Sequence, residues 1–463
     1  MTSPTHHWIK QIAESKKPAY LLIADLIEED IASQRLQARD RLPALRDLAI
    51  ELGLNYTTVA RAYAVAKKRG LIDSQVGTGT FVRGRPPAIP LRDGSGIQMT
   101  MNMPPEPPEL TLKLRQGMAD ILLNSDAYNL LRYQDFGGHL EQREIVASWL
   151  HTFVPNCTAD RVLISPGIHS VLVALMSQLA RPTELICVES LAYPGIKAIA
   201  AQLGIRLHAI ASDEDGPMPN AFEDACKTQS PKAFYCNPTI QNPSTATIPL
   251  NRRRALVDIA LRYNIPIIED DAYGMLPVKA PVTMATLAPE LCWYITGFAK
   301  CFGAGLRVAF VIAPTARQAQ RLAGAQRATT VMASPITVLL ATQWIKNGLA
   351  AEMLQAIRYE STARQLIAKR ILKFWPYFEQ TEAFHLWLPI PVNVGWRASE
   401  VALQLRTQGV GVVASVAFST DSNPIEAVRI CLGGPNTRED CEHSLKLVAD
   451  TLEYPHHLHV PMM

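Results

Sequence analysis

The sequence predicts an α/β fold with a mainly parallel sheet, preceded by a small helical domain. Short apolar runs alternate with helical stretches over residues 107–463, which is typical of a sheet covered on both faces. Residues 1–84 show helical periodicity interrupted by glycines. Residues 85–106 are rich in Pro, Gly and Ser and lack the apolar content of a core, so they are predicted to be a linker between the two domains.

The composition allows a large folded core. The 463 residues are 48% hydrophobic and 19% charged, which suits two or three domains. The net charge of +3 argues against a chain that binds polyanions or membrane surfaces along its whole length. Residues 1–84 hold 12 Lys and Arg against 9 Asp and Glu, so the entire excess is N-terminal. This charge distribution favours a nucleic-acid-binding module at the N-terminus.

Targeting and metal signals are weak. The N-terminus has no signal-peptide pattern, no apolar run is long enough for a bilayer, and the eight cysteines form no CxxC pair. These observations predict a soluble cytoplasmic protein with reduced thiols and no membrane partner. The C-terminal histidines His456, His457 and His459 have no acidic or cysteine neighbours, so a terminus without metal is favoured over a metal site.

The first 84 residues predict three helices and a hairpin. Apolar residues at helical spacing mark a helix over 19–33. Pro43 opens a second helix, 44–51, which Gly53 ends, and Asn55 caps a third helix, 56–69, which Gly70 ends. Residues 71–82 alternate around a Gly-containing turn at 76–79 and predict a hairpin. Helix, tight turn, helix and hairpin together indicate a winged helix-turn-helix domain.

The third helix has the side chains of a recognition helix near its start, and such helices read bases with their N-terminal residues. The alternative is a small helical domain that binds protein. Residues 42–82 resemble the winged helix of the GntR family. The resemblance implies that six positions contact DNA: Arg46, Asn55, Thr57, Thr58, Arg61 and, in the wing, Gly77. The chain departs from the family in having Asn55 where arginine is commoner, which implies a changed base or phosphate preference. It also lacks glycine over 33–39, where the family has a glycine-containing turn.

In the larger domain, seven apolar runs predict strands: 162–165, 185–188, 207–210, 233–235, 267–269, 292–296 and 308–312. Ligands of open α/β sheets bind at the carboxyl ends of strands. Chemically distinctive residues follow these runs: Gly167, Ile168 and His169, then Tyr193, then Asn242, then Asp270 and Tyr273, then Lys300 and Arg307. Arg429 lies on a further apolar run near the C-terminus.

The segment 296–312 contains the most informative of these residues. Lys300 lies on a Gly-rich turn between two strands, where burial lowers the pKa of a lysine and makes its amine a nucleophile toward aldehydes. Arg307 follows closely and can bind a phosphate through two hydrogen bonds. The turn at Gly167 precedes a helix, whose free N–H groups form an anion site. Taken alone, Lys300 and Arg307 fit a basic surface loop equally well.

Taken together, residues 110–463 resemble a fold-type I aminotransferase that holds pyridoxal 5′-phosphate (PLP). The resemblance implies that Lys300 forms the internal aldimine, that Asp270 keeps the pyridine nitrogen protonated, and that Tyr273 and Asn242 bind the phenolic oxygen. The other implied roles are ring stacking by Tyr193, phosphate binding by Arg307, Gly167, Ile168 and His169, phosphate binding in the partner subunit by Tyr133, and binding of the effector's carboxylate by Arg429. Asp271 is interpreted as a solvated or structural acid.

Three positions depart from this family. Serine is usual where this chain has Gly297 and Ala299, and common where it has Ile168. The phosphate therefore loses at least two hydroxyl donors, each worth about 1.5–3 kcal/mol when bonded to a charged group. His169 and Thr296 are the candidates to replace them. Without a replacement, we expect looser binding of PLP.

The combination of both domains resembles the MocR/GabR group of GntR regulators. It implies a PLP-dependent transcription regulator that binds a DNA operator and senses a small amino compound through external aldimine formation at Lys300. It also implies a head-to-tail, domain-swapped homodimer. Two alternatives stay open at this stage. One is a catalytically active aminotransferase with an ancestral DNA-binding domain, and the other is a sensor that no longer binds PLP.

Overall fold

A computed structural model describes residues 6–15, 17–33, 35–36, 40–69, 71–75, 79–82, 97–420 and 425–453 of the chain. The chain divides into two compact units, Met1–Gly94 and Ser95–Met463. Gly70, the wing turn at 76–78 with Gly77, and the C-terminal histidines lie outside the described residues.

The described residues of the first unit form four helices and a three-stranded antiparallel sheet of order β1-β3-β2. Its elements in chain order are α1 (His6–Glu14), α2 (Ala19–Ala32), β1 (Arg41–Leu42), α3 (Leu45–Leu52), α4 (Tyr56–Lys68), β2 (Ile72–Gln75) and β3 (Gly79–Val82). The predicted winged helix-turn-helix fold is thus confirmed.

Local signals place α3 and α4 close to the predicted positions. Gly53 ends α3 with φ of 65°, and its N–H bonds to carbonyls of the last turn, as a left-handed C-terminal glycine does. Asn55 occupies the position before α4, but its side chain makes no capping hydrogen bond. Helix α1 was not predicted. It packs on α2 because the buried Trp8 donates from Nε1 to Asp30 at 2.9 Å.

The second unit is built on a seven-stranded sheet of order β5-β13-β12-β11-β10-β6-β7. Its strands are β5 (Val162–Ser165), β6 (Leu185–Glu189), β7 (Arg206–Ile210), β10 (Ala233–Cys236), β11 (Ile267–Asp270), β12 (Cys292–Gly297) and β13 (Ala309–Ile312). Strand β13 runs antiparallel to both neighbours, and the other pairs are parallel. The predicted fold class is confirmed, and every predicted strand exists within two residues of its predicted limits.

Helices cover both faces of this sheet, so its central strands are buried on both sides. The helices of the unit are α5 (Thr111–Leu123), α6 (Ala127–Leu131), α7 (Leu140–Leu150), α8 (Ile168–Leu179), α9 (Pro194–Leu203), α10 (Pro219–Gln229), α11 (Leu250–Tyr263), α12 (Met284–Leu287), α13 (Ala316–Thr329), α14 (Pro335–Lys346), α15 (Leu349–Ile371), α16 (Ala398–Thr407) and α17 (Arg438–Glu453).

A smaller antiparallel sheet of order β14-β17-β16 has its own apolar core. The remaining strands form this sheet and two short pairs: β4 (Ile97–Gln98), β8 (Ser212–Asp213), β9 (Gly216–Pro217), β14 (His385–Pro389), β15 (Val410–Gly411), β16 (Val413–Ala414) and β17 (Ala427–Cys431). Within the described residues, no helix combines the length and apolarity that a membrane span requires.

The end of the predicted linker was wrong. Residues 97–106 belong to the second unit, where β4 pairs with β15 and the Met99 and Asn102 side chains are buried. The Pro content of this stretch suggested a linker, but its apolar residues and its β-pairing fix it against the smaller sheet.

Candidate functional site

The site lies at the carboxyl ends of the parallel strands, where Asp270 ends β11. One carboxylate oxygen of Asp270 accepts a hydrogen bond from the Tyr235 hydroxyl at 2.8 Å, and the other, Oδ1, is buried without a partner. The Asp270 main-chain carbonyl accepts from Asn237 Nδ2 at 2.5 Å. Burial raises the pKa of Asp270 to about 6, while the Tyr235 hydrogen bond opposes this rise.

Lys300 follows β12 on the turn that leads toward β13. Its Nζ donates to the Asn102 carbonyl and lies 5.7 Å from the centre of the Tyr273 ring. Burial, reinforced by the positive charge of Arg429, lowers the pKa of Lys300 to about 8. At neutral pH the amine is therefore neutral in a much larger fraction than an ordinary lysine, and it is about half neutral near pH 8, which favours nucleophilic attack.

Tyr273 and Arg429 are buried near this amine. The Tyr273 oxygen accepts from Asn102 Nδ2 at 2.9 Å, and burial raises the pKa of its hydroxyl. Arg429 donates from Nη1 to Asn242 Oδ1 at 2.8 Å and from Nη2 to the Thr100 carbonyl. Its Nε is buried without a partner. These contacts fix the guanidinium plane and leave N–H groups for a carboxylate ligand.

The second predicted group consists of the buried Gly167 and the exposed Arg307. Gly167 has φ of 95° and precedes α8, and a Cβ at this position would lie 2.9 Å from Arg307 Nη2. Only glycine therefore lets the guanidinium approach the start of the helix. Arg307 and His169 are exposed, and Ile168 is half-buried. Arg307 and the helix N-terminus together suit an anion such as a phosphate.

Tyr193 and Tyr133 occupy different surroundings. Tyr193 is half-buried at the start of α9, and a Cβ on Gly195 would lie 2.2 Å from its ring, so Gly195 makes room for it. Burial, together with the negative charge of Asp270, raises the pKa of the Tyr193 hydroxyl. Tyr133 is 82% exposed on the surface between α6 and α7.

These residues meet the demands of a pyridoxal phosphate. The unpartnered Asp270 Oδ1 matches a protonated pyridine nitrogen, since a buried carboxylate oxygen without a donor is costly. Lys300 offers the amine, and Gly167 with Arg307 offers the anion site. Among the described residues, no group of three or more His, Cys, Asp and Glu is placed to hold a metal ion.

Comparison with known proteins identifies the family. The model for aminotransferase class I and II matches residues 97–446, and the model for bacterial regulatory proteins of the gntR family matches residues 19–82. The chain belongs to the class I and II aminotransferases. Joined to a GntR domain, this aminotransferase domain gives the composition of the MocR/GabR-type regulators, so the predicted subfamily is confirmed.

Similar proteins include transcription regulators that match most of this chain. The chain is 27% identical to the HTH-type transcriptional regulator YdeF of Bacillus subtilis, over 96% of this chain and 97% of that protein. It is 23% identical to the probable rhizopine catabolism regulatory protein MocR of Rhizobium meliloti, over 79% and 80%. The crystal structure of LysN, an α-aminoadipate aminotransferase from Thermus thermophilus, superposes with a TM-score of 0.70 at 21% identity, covering 78% of this chain and 92% of LysN. This likeness shows the fold. Class I and II aminotransferases are PLP-dependent as a family.

The structure explains one departure from this family. A Cβ on Gly297 would lie 2.6 Å from the Val308 carbonyl oxygen and 2.8 Å from the Ala309 Cα, so β13 leaves no room for serine there. Thr296, a candidate replacement, donates its hydroxyl to the Asp271 carbonyl at 3.1 Å and is fully buried. Its hydroxyl is therefore already hydrogen-bonded inside the fold. The expectation that Thr296 replaces a phosphate donor is wrong.

The predicted DNA contacts cluster on α3 and the start of α4 in the first unit. Arg46, Asn55, Thr57 and Arg61 are exposed, and Thr58 is half-buried. The Arg61 guanidinium lies 4.0 Å from the centre of the Tyr20 ring, which holds it by a cation–π contact. The DNA-binding roles of these five residues stay predictions.

Three residues that contact the candidate site had no predicted role. Asn102 falls within the predicted linker, although it contacts both Lys300 and Tyr273. Tyr235 was placed on a strand without a role. His385 lies with its ring centre 5.5 Å from that of Tyr273, and burial with the charge of Arg429 lowers its pKa to about 3. Its Nδ1 is buried without a partner. A histidine inside an apolar run was the available signal.

Asp271 is structural, in keeping with one of the two interpretations. It is buried and accepts from the Tyr294 hydroxyl at 3.0 Å, and Gly274 leaves room for its carboxylate. The neighbouring Glu269 pairs with the fully buried Arg253 at 3.6 Å. These groups support the strand end that carries Asp270.

Proposed function

We propose that this protein is a PLP-dependent transcription regulator that binds DNA through its N-terminal unit and senses a small amino compound in its aminotransferase domain. The main support for the proposal is that Lys300, Asp270 and Tyr273 lie together in one buried site. The same chain also carries a GntR domain. When bound, the cofactor supplies an aldehyde that amines attack.

The residues have separate tasks in this scheme. Lys300 would present its amine to the cofactor, and Asp270 Oδ1 would accept a hydrogen bond from the protonated ring nitrogen. Tyr273 donates to the phenolic oxygen, and Arg307 with the N–H groups after Gly167 holds the phosphate. Arg429 orients the acid group of the effector, because Asn242 and the Thr100 carbonyl fix its plane. A ligand changes the population of the DNA-bound state only if it binds the DNA-bound and DNA-free states with different affinities.

The proposed homodimer is supported by an exposed apolar surface. Helix α5 buries none of its residues, and large apolar side chains remain exposed from there to Tyr133. They include Leu112, Leu122, Leu123, Tyr128 and Leu131. Apolar surface of this extent marks an interaction site in a folded protein. A head-to-tail arrangement would bring Tyr133 to the partner's phosphate.

A direct test uses the purified protein, PLP and its operator DNA. We expect an absorption band from bound PLP that is lost in Lys300→Ala, borohydride attachment to Lys300, and operator affinity that changes when amino acids or amines are added. Protein that stays colourless with PLP would contradict the proposal and favour a sensor without cofactor.

An active aminotransferase is the second candidate, and the same contacts of Lys300, Tyr273 and Asp270 support it. A steady-state assay with amino donors and 2-oxoglutarate separates the two. Fast multiple turnover without operator binding would favour the enzyme. Operator binding that responds to an amino compound, with little turnover, would favour the regulator.

A further inference from the structure

Residues 99–103, the segment that follows β4, are held directly by the candidate site. Three main-chain carbonyls of the segment accept hydrogen bonds from it: Met99 from Cys431 N at 3.0 Å, Thr100 from Arg429, and Asn102 from Lys300 Nζ. A Cβ on Gly433 would lie 1.9 Å from the Met103 oxygen, so the smaller sheet also leaves space for the segment.

The side chain of Asn102 acts on Tyr273. Its Nδ2 donates to the Tyr273 oxygen at 2.9 Å, so the hydroxyl must direct its own hydrogen elsewhere. Within the described part of the chain, Tyr273 appears only as an acceptor. The other amide atom, Asn102 Oδ1, is buried and has no partner. This geometry holds the tyrosine as a donor for a ligand beside Lys300.

We propose that Asn102 is a positioning residue that turns the hydrogen of the Tyr273 hydroxyl toward the phenolic oxygen of the cofactor, and so sets the proton affinity of the Lys300–cofactor linkage. This inference rests on the proposed binding of PLP to Lys300. A donor to an oxygen stabilises its anionic form. The anionic oxygen and the linkage share one proton by hydrogen bonding, so a fixed donor lowers the pKa of the linkage.

Other charged and titratable groups face the same place. Arg429, Asp270 and Cys431 lie near both Tyr273 and Lys300, and Arg307 lies near Lys300. The His385 ring lies beside that of Tyr273, and its lowered pKa keeps it neutral above about pH 3. None of these side chains is itself replaced in the variants compared below.

The test exploits the direction of one hydrogen bond. Asn102→Asp replaces the amide donor by a carboxylate, which can only accept, so the Tyr273 hydroxyl turns away from the cofactor. We expect the pH midpoint of the absorption change of bound PLP to rise by about one unit or more. Tyr273→Phe gives the reference shift for complete loss of the hydroxyl, and the double variant separates hydrogen bonding from the added charge.

Asn102→Asp should also be measured in the Tyr273→Phe background. There, the further rise in the pH midpoint of the absorption change should be less than half the rise that Asn102→Asp causes in the native protein. An equal shift in both backgrounds, or no rise at all, would overturn the inference.

Asn102→Ala is a second variant that adds no charge. We expect it to shift the midpoint less than Tyr273→Phe and to add nothing in that background, and an additive shift would contradict the inference. Absence of the PLP band in the native protein would instead contradict the proposed function.

Discussion

The two ends of the candidate cofactor site differ in burial and in bonding. At the ring end, Asp270 and Tyr273 are buried and each is held by another side chain, Tyr235 or Asn102. At the phosphate end, Arg307 and His169 are exposed, and the serines usual in the family are missing. Because hydrogen bonds to charged groups are worth more when water is excluded, most of the binding free energy should come from the ring end.

The largest effect is expected from Asp270→Ala. The variant leaves a protonated pyridine nitrogen without its acceptor, which should weaken binding of PLP by about 2–3 kcal/mol, roughly a hundredfold. Fluorescence or absorbance titration with PLP measures this change. Tyr235→Phe is the matched control, since it keeps the carboxylate and removes only its supporting hydrogen bond. A loss in Asp270→Ala no larger than in Tyr235→Phe would contradict the assigned role.

Arg307→Ala tests the other end of the site. We expect a loss of about 1.5 kcal/mol, roughly tenfold, at the low end for charged hydrogen bonds because Arg307 is exposed. Binding of pyridoxal, which lacks the phosphate, should hardly change. A control is Arg321→Ala, an exposed residue on α13. If Arg307→Ala weakened PLP binding more than Asp270→Ala, the ring end would not dominate.

The sequence could predict those site residues that follow buried strands. Lys300, Asp270 and Gly167 each follow a buried apolar run directly, and strand ends of a parallel sheet share one edge, so their meeting could be inferred. Strand limits were accurate because strands buried on both faces are continuous apolar runs. The winged helix could be predicted equally well, because Gly53 ends a helix with a left-handed backbone conformation, which is a local requirement.

The partners of these residues could not be inferred. Asn102 reaches Tyr273 across 171 positions of sequence, and Tyr235 reaches Asp270 across 35. Such contacts depend on how strands and segments align in space, and no local pattern encodes them. Helix α1 was missed for a similar reason, because its position depends on Trp8 meeting Asp30. Residues 97–106 were assigned to the linker because of their prolines, and the two-residue pairing of β4 with β15 is too short to be recognised in the sequence.

Restoring the family's serines would sharpen the comparison. Ala299→Ser should tighten PLP binding by about 1 kcal/mol, roughly fivefold, if its hydroxyl reaches the phosphate. Gly297→Ser should not help, because its Cβ would lie 2.6 Å from the Val308 oxygen, and it should lower the free energy of unfolding by about 1–3 kcal/mol. Titration and thermal melts measure both. A stable Gly297→Ser variant with tighter binding would contradict the steric explanation.

The smallest effect concerns Lys300 in the cofactor-free protein. Its pKa is lowered from 10.5 to about 8, so between these values the unfolded chain binds more protons than the folded one. Stability should therefore rise with pH from about 8 to 10.5, and it should be reduced below pH 8, where the partly buried amine is charged. Lys300→Met removes this dependence.

Melting temperatures of the two cofactor-free proteins test this sign. Lys300→Met should melt higher than the native protein at pH 7, and the difference should shrink as the pH rises through 8 toward 10.5, because the native amine becomes neutral in the folded state. Lys279→Met, at an exposed lysine, should show no such convergence. A difference that stays constant between pH 7 and 10 would mean that Lys300 keeps an ordinary pKa, and the amine would then lack the neutral form that the proposed chemistry requires.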